Sequence, residues 1–128
     1  MNFKLPSINK LFFAGNLLDD PDSRIVSNNA QVTNFKIAGN KRFRDSQGMK
    51  DKVCYVNIVA WSKLAEICAK VLRKGDGVFV EGELQNRQTQ NGMILEVLAN
   101  RVEFLTKRNY HEETEITEEF EEEEINEQ

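Results

Sequence analysis

The residues best suited to chemistry lie in one stretch, Lys41 to Trp61, reading KRFRDSQGMKDK and then VCYVNIVAW. The first twelve residues hold five cations, Lys41, Arg42, Arg44, Lys50 and Lys52, against two acids, with Phe43 set between two arginines. The second part has the composition of a strand, in which successive side chains point to opposite sides. Val53, Tyr55, Asn57, Val59 and Trp61 then share one side, and Cys54, Val56, Ile58 and Ala60 the other. The second side is small and apolar, as a barrel interior should be. The first carries two large rings and an amide. Exposed rings beside cations suit an unpaired nucleic-acid strand, because the rings take base faces and the cations take phosphates. Tyr55 and Trp61 would equally complete a second hydrophobic core or a subunit interface, and this stretch alone leaves both readings open.

The charge balance points the same way. All 17 Lys and Arg and 11 of the 21 Asp and Glu fall within residues 1–108, which gives that part a net charge of +6. The other 10 acidic residues lie in 109–128 with no Lys or Arg, so the tail carries −10 with His111 neutral. A basic body with an acidic tail often accompanies nucleic-acid binding.

Catalysis finds little support. The one histidine, His111, stands in the acidic tail beside Glu112 and Glu113. There is no GxSxG, no phosphate loop, and no carboxylate cluster in the folded part beyond Glu81 and Glu83, which suit a solvated strand face. No catalytic residue, cofactor or metal ligand is expected. Cys54 and Cys68 lie 14 positions apart with no CxxC pair, a spacing that fits neither a metal site nor a disulfide framework. Both fit the apolar side of their elements and are expected to be reduced core residues of a cytoplasmic protein. The run LFFAGNLL after Pro6 is broken by Gly15 and Asn16 and lacks a small-residue cleavage site, so no secretory signal is expected. No apolar stretch is long enough to span a membrane.

The elements that must position these residues follow from periodicity. Leu11 to Leu18 is expected as a first strand, apolar on both faces and so buried twice, against its own barrel and a second subunit. DDPDSR and Asn28-Asn29 are expected as turns. A second strand is expected over Val32 to Asn40, with Phe35 and Ile37 inward and Asn34, Lys36 and Ala38 outward. Lys41 to Lys52 is expected as a hairpin loop longer than a two-residue turn, with the third strand after it. Leu64, Ile67, Cys68, Val71 and Leu72 make one helical stripe, so a helix is expected over Lys63 to Lys74. Ser62 would cap its start, Arg73 and Lys74 would fill its last turn, and Gly75 would close it. A fourth strand over Gly77 to Leu84 and a fifth over Met93 to Leu105 would be joined by a loop holding Arg87 and Thr89, with a type I′ turn at Asn91-Gly92. Three strands, a helix and two strands is the element order of the OB-fold, a mainly β, five-stranded Greek-key barrel. That gives an OB domain over 1–106 and a disordered acidic tail over 107–128, too polar to offset its own entropy.

Over residues 8 to 105 the chain resembles the bacterial-type single-stranded DNA-binding proteins. The resemblance rests on NKLFFAGNL at Asn9–Leu17, Asp20-Pro21, FKIAGNKRFRD at Phe35–Asp45, WSKLAEICAKVLRKGDGVFVEGEL at Trp61–Leu84, and the closing strand around Glu96. It implies an OB-fold, four copies per functional unit, and sequence-tolerant binding of single-stranded DNA in replication, recombination and repair, in the cytoplasm at the nucleoid. The family's stacking positions fall on Phe43, where it usually has Trp, and on Tyr55 and Trp61. A fourth falls on Thr89, which has no ring. Its backbone-contacting cations fall on Lys10, Lys63, Lys74 and Arg87, with Arg73 beside them. Lys36, Lys41, Arg42, Arg44, Lys50, Lys52 and Asn57 complete the expected DNA-binding set. The family's tail usually ends in a Pro-Phe tip that docks replication and repair enzymes. This tail has no Pro and ends Asn126, Glu127, Gln128. The alternative is an OB-fold primosome or RNA-binding module acting mainly through protein contacts, against which the three retained aromatics argue.

Overall fold

The computed structural model describes residues 4–106. The acidic tail and His111 lie outside the described residues. Six strands and one α-helix follow in the order β1 (Leu11–Leu17), β2 (Asp22–Ile25), β3 (Gln31–Asp45), β4 (Gly48–Trp61), α1 (Ser62–Val71), β5 (Gly77–Thr89) and β6 (Gly92–Phe104).

Five of the strands close into a barrel in the order β1-β5-β6-β4-β3, with β1 returning to β3. The β4–β6 pair is parallel, matching Ile58 to Val97 and Val59 to Leu98, and the other pairs are antiparallel. This is the OB barrel expected from the element order, with α1 between the third and fourth barrel strands. The period-2 pattern builds the core: Ile37, Ile58, Val78 and Val80 are fully buried and cluster with Leu64, Cys68 and Leu72 of the helix side. Helix α1 packs against β3 and β4. The Thr33 hydroxyl ties it to β3 by donating to the Ala65 carbonyl at 2.7 Å. At the Glu81/Gly82 bulge a Cβ on Gly82 would run into the Leu98 carbonyl, so β5 can cross β6 there only without a side chain.

Several local expectations are corrected. Asp22–Ile25 is a short strand, not part of a turn. It pairs with Gln31–Asn34, and its four residues are all exposed, so it carries no hydrophobic signal. Asn28 and Asn29 do turn the chain, at φ of 68° and 59°. The segment Lys41–Lys52 is not a loop. β3 and β4 stay paired out to Asp45 and Gly48, so they form an arm with Ser46-Gln47 at its tip. Alternation fails there as a signal because both sides are polar. Cys54 is exposed on this arm, whereas Cys68 is buried.

The helix begins at Ser62 without a side-chain cap bond, and Ser62 itself has φ 57°. It ends at Val71, so Arg73, Lys74 and Gly75 lie past it. β5 runs on through Arg87 to Thr89, and the tip of its hairpin is Gln90-Asn91. Positive φ falls on Gly92 and not on Asn91. In β1, Leu17 is buried, while Phe12 and Ala14 are exposed in the single chain.

Candidate nucleic-acid interface

The β3–β4 ladder runs unbroken from Asp45↔Gly48 to Val32↔Trp61. Residues directly opposite in such a ladder share a side. The outer side therefore carries Tyr55 beside Ala38, Asn57 beside Lys36, Val59 beside Asn34, and Trp61 beside Val32. Tyr55 is 62% exposed and Trp61 43%. Both rings are open, so neither completes a core within the chain. Val59 between them is buried. At about 3.3 Å per residue the two rings are spaced by roughly 20 Å along β4.

A groove of about 310 Å³ crosses this side, lined among others by Asp20, Asn34, Lys36, Asn57, Arg87 and Glu96. The Glu96 side chain is 1% exposed and half of Arg87 is open. Glu96 Oε1 accepts Arg87 Nε–H at 2.9 Å and a Gln85 amide N–H at 3.1 Å. The hydrogen bond and the charge of Glu96 raise the Arg87 pKa above its ordinary value. Arg87 is thus a strand residue anchored by a buried carboxylate, not a loop cation. Its position beside Lys36 and Asn57 has no local sequence signal, because the three come from three strands.

Trp61 lines a second, larger cleft of about 620 Å³ with Asn9, Lys10, Lys63, Asn100 and Arg101 among its walls. Lys10 pairs with Glu81 at 2.8 Å and stands 5.6 Å from the centre of the Phe12 ring. Arg101 pairs with Glu103. Asn9 holds the chain before β1 against β5, with its amide bonded both ways to the Leu84 backbone at 2.8 and 2.9 Å. Asn100 and Arg101 were not among the expected site residues. The available signal is the Asn-Arg pair that interrupts alternation between Ala99 and Val102, where the strand bulges.

Other expected residues fall elsewhere. Phe43 pairs with Lys50 and Lys41 with Lys52, on the inner side of the ladder, so Phe43 does not share a side with Tyr55 and Trp61. Arg42 and Arg44 point outward, the former 3.6 Å from Asp51. The Arg73 guanidinium donates to the Leu72 carbonyl at 2.7 Å and so serves the helix end. Lys74 donates its backbone N–H to Asp20 at 2.8 Å, at the edge of the smaller groove. Thr89, where a fourth ring would stand, donates to the Gly92 carbonyl at 2.7 Å inside its turn. Among the described residues no group of three or more His, Cys, Asp or Glu comes together as a metal site. No described helix is long and apolar enough to cross a membrane.

Comparison with known proteins agrees with the barrel fold. Residues 8–105 match the single-strand binding protein family. The chain is 48% identical over 111 residues to single-stranded DNA-binding protein 2 of Chlorobaculum tepidum, covering 81% of this chain and 75% of that protein. It is 38% identical over 107 residues to the single-stranded DNA-binding protein of Bacillus cereus, covering 80% of this chain but 62% of that protein. Among solved structures, the Plasmodium falciparum protein of this kind in complex with single-stranded DNA has a TM-score of 0.72 at 28% identity, covering 81% of this chain and 100% of that one. The Thermus aquaticus single-stranded DNA-binding protein has a TM-score of 0.69 at 27% identity, covering 79% of this chain and 52% of that one.

Proposed function

Because the chain belongs to the single-strand binding protein family, we propose that it binds single-stranded DNA with little regard to sequence and catalyses nothing. The observation that carries this reading is the placement of Tyr55 and Trp61, both open, on one outer side of β4 with Asn57 between them. Bases have π-faces whatever their identity, so stacking on these rings is sequence-tolerant. Lys36, Arg42, Arg44 and Arg87 flank the rings, and Lys10, Lys63 and Arg101 line the cleft at Trp61, all suited to phosphates. Duplex DNA hides its base faces and should lose the competition.

The finer parts of the reading follow. The chain works as a homotetramer in replication, recombination and repair, in the cytoplasm at the nucleoid. Self-association is supported by the exposed Phe12, stacked on Phe79 with ring centres 5.9 Å apart, beside the exposed Ala14. Recruitment of replication and repair enzymes would fall to the acidic tail.

Trp61 is the only tryptophan, so its fluorescence reports strand binding directly. Adding oligo-dT should quench it strongly, and matched duplex at the same concentration should not. Equal responses to the two would overturn the reading. Solution mass with and without oligo-dT reads assembly in the same samples.

A further inference from the structure

We propose that Glu96 is a positioning residue for strand binding: buried beneath the groove on the Tyr55–Trp61 side, it clasps one edge of the Arg87 guanidinium and leaves the other edge turned toward a phosphate. The proposal rests on the single-strand reading above and names what gives Arg87 its direction.

Strand pairing puts Glu96 there. β4 and β6 run parallel with Ile58 matched to Val97, and both of these are core residues. Asn57 and Glu96, one step back on each strand, therefore stand next to each other on the opposite side, the side of the rings. Gln85 lies directly across from Glu96 on β5, and Arg87 follows two residues on, on the same side. Both donate to the one carboxylate oxygen, Gln85 at 3.1 Å and Arg87 through Nε–H at 2.9 Å. Lys36, opposite Asn57 on β3, lines the same groove.

A guanidinium is a rigid fork with donors along two edges. With its Nε–H held by Glu96, Arg87 keeps its terminal nitrogens for another acceptor. Half of the side chain is open, and it lines the groove. Among the described residues those nitrogens make no hydrogen bond of their own. Burial is what makes the clasp stiff. Asp51 and Glu103, the acids paired with Arg42 and Arg101, are about half open and can swing out with their partners. The Glu96 side chain is 1% exposed and cannot follow Arg87 into water. A buried ion pair is a weak source of stability, because desolvation offsets its attraction. What it supplies here is direction. A fork already aimed binds a phosphate without the entropy loss of ordering a free side chain.

The test is a double-mutant cycle on the full chain, read as affinity for labelled oligo-dT by fluorescence anisotropy. Arg87→Ala should weaken binding about tenfold when Glu96 is present. In the Glu96→Leu background Arg87 keeps its charge but loses its clasp, and the same change should weaken binding about twofold or less. If Glu96 only masked the charge of Arg87, the penalty would grow in that background instead. An equal or larger penalty there overturns the proposal, and so does an Arg87→Ala change without effect when Glu96 is present. A second variant leaves the interior untouched. Arg87→Lys keeps the charge but offers one ammonium in place of two edges, so it cannot serve Glu96 and a phosphate as the fork does. It should bind nearly as weakly as Arg87→Ala. Affinity equal to that of the unaltered chain overturns the proposal even if Glu96→Leu fails to fold. Failure of the unaltered chain to bind oligo-dT would instead sink the single-strand reading itself.

Discussion

Gly15→Ala probes the seam that closes the barrel. β1 returns to β3 through two register pairs, Asn16↔Ala38 and Leu17↔Ile37, with the Leu18 N–H donating to the Lys36 carbonyl at 3.0 Å beside them. A methyl group on Gly15 would stand 2.8 Å from the Ala38 carbonyl carbon and nearer still to its oxygen, where ordinary contact begins at 3.4 Å. The obstructing atoms are backbone, so no rotamer change relieves the clash and the seam itself must open. Overpacking of this kind costs about 1–3 kcal/mol, and one weakened seam hydrogen bond adds roughly 1 kcal/mol. The expected loss is therefore about 2–4 kcal/mol. Gly48→Ala is the control: it meets nothing within 4 Å but has φ +117°, so only backbone strain opposes it. That strain is worth about 1–2 kcal/mol. The assay is urea unfolding of the full chain at fixed protein concentration, because the self-association proposed above would make the midpoint concentration-dependent. With a slope of about 1–3 kcal/mol per molar, a 3 kcal/mol loss moves the midpoint by roughly 1–3 M. If Gly15→Ala is no less stable than Gly48→Ala, the seam is not tight and this account of barrel closure is wrong.

Three further outcomes are expected. Trp61→Ala should weaken oligo-dT binding by about 1–3 kcal/mol in a fluorescence-anisotropy titration while the unfolding midpoint stays put; normal affinity would assign Trp61 to an interface instead. Lys36→Ala should lower the slope of log affinity against log salt by about 0.7 if Lys36 neutralises one phosphate, and an unchanged slope removes it from the path. Thr33→Val keeps the shape but leaves the Ala65 carbonyl without the buried hydroxyl donor 2.7 Å away. Its expected cost is about 1–2 kcal/mol by denaturant unfolding, and a neutral result would mean that the tether does not hold α1.

The helical stripe of Leu64 to Leu72 and the apolar pairs of β5 were legible in the sequence because burial on one side imposes the period directly, whereas in β4 alternation separated the two sides but burial follows it only in part, with Val59 buried on the ring side and Cys54 exposed on the other. These carried the barrel and the shared side of Tyr55 and Trp61, while the exposure of both rings came only with the structure. Where burial is absent the period vanishes. Asp22–Ile25 and the arm beyond Asn40 are solvated on both sides and held by backbone pairing alone, so turn chemistry was the only visible signal and it misled. Ser62 illustrates a related limit. Its type favours capping, yet the junction with β4 sets its φ at 57° and no cap bond forms.

By itself, then, the sequence determined which residue types were available: rings, cations and a core sufficient for one barrel. Only the tertiary structure decided which of them meet. Lys36, Asn57 and Arg87 come together because β3, β4 and β5 converge around a buried Glu96, which no local pattern announces. Phe43 parts from Tyr55 because the ladder registers Gly39 with Cys54 and carries Phe43 down the inner side. Side-chain direction in a sheet follows from pairing register, and register is a property of two strands at once, so it is settled only when both are in place.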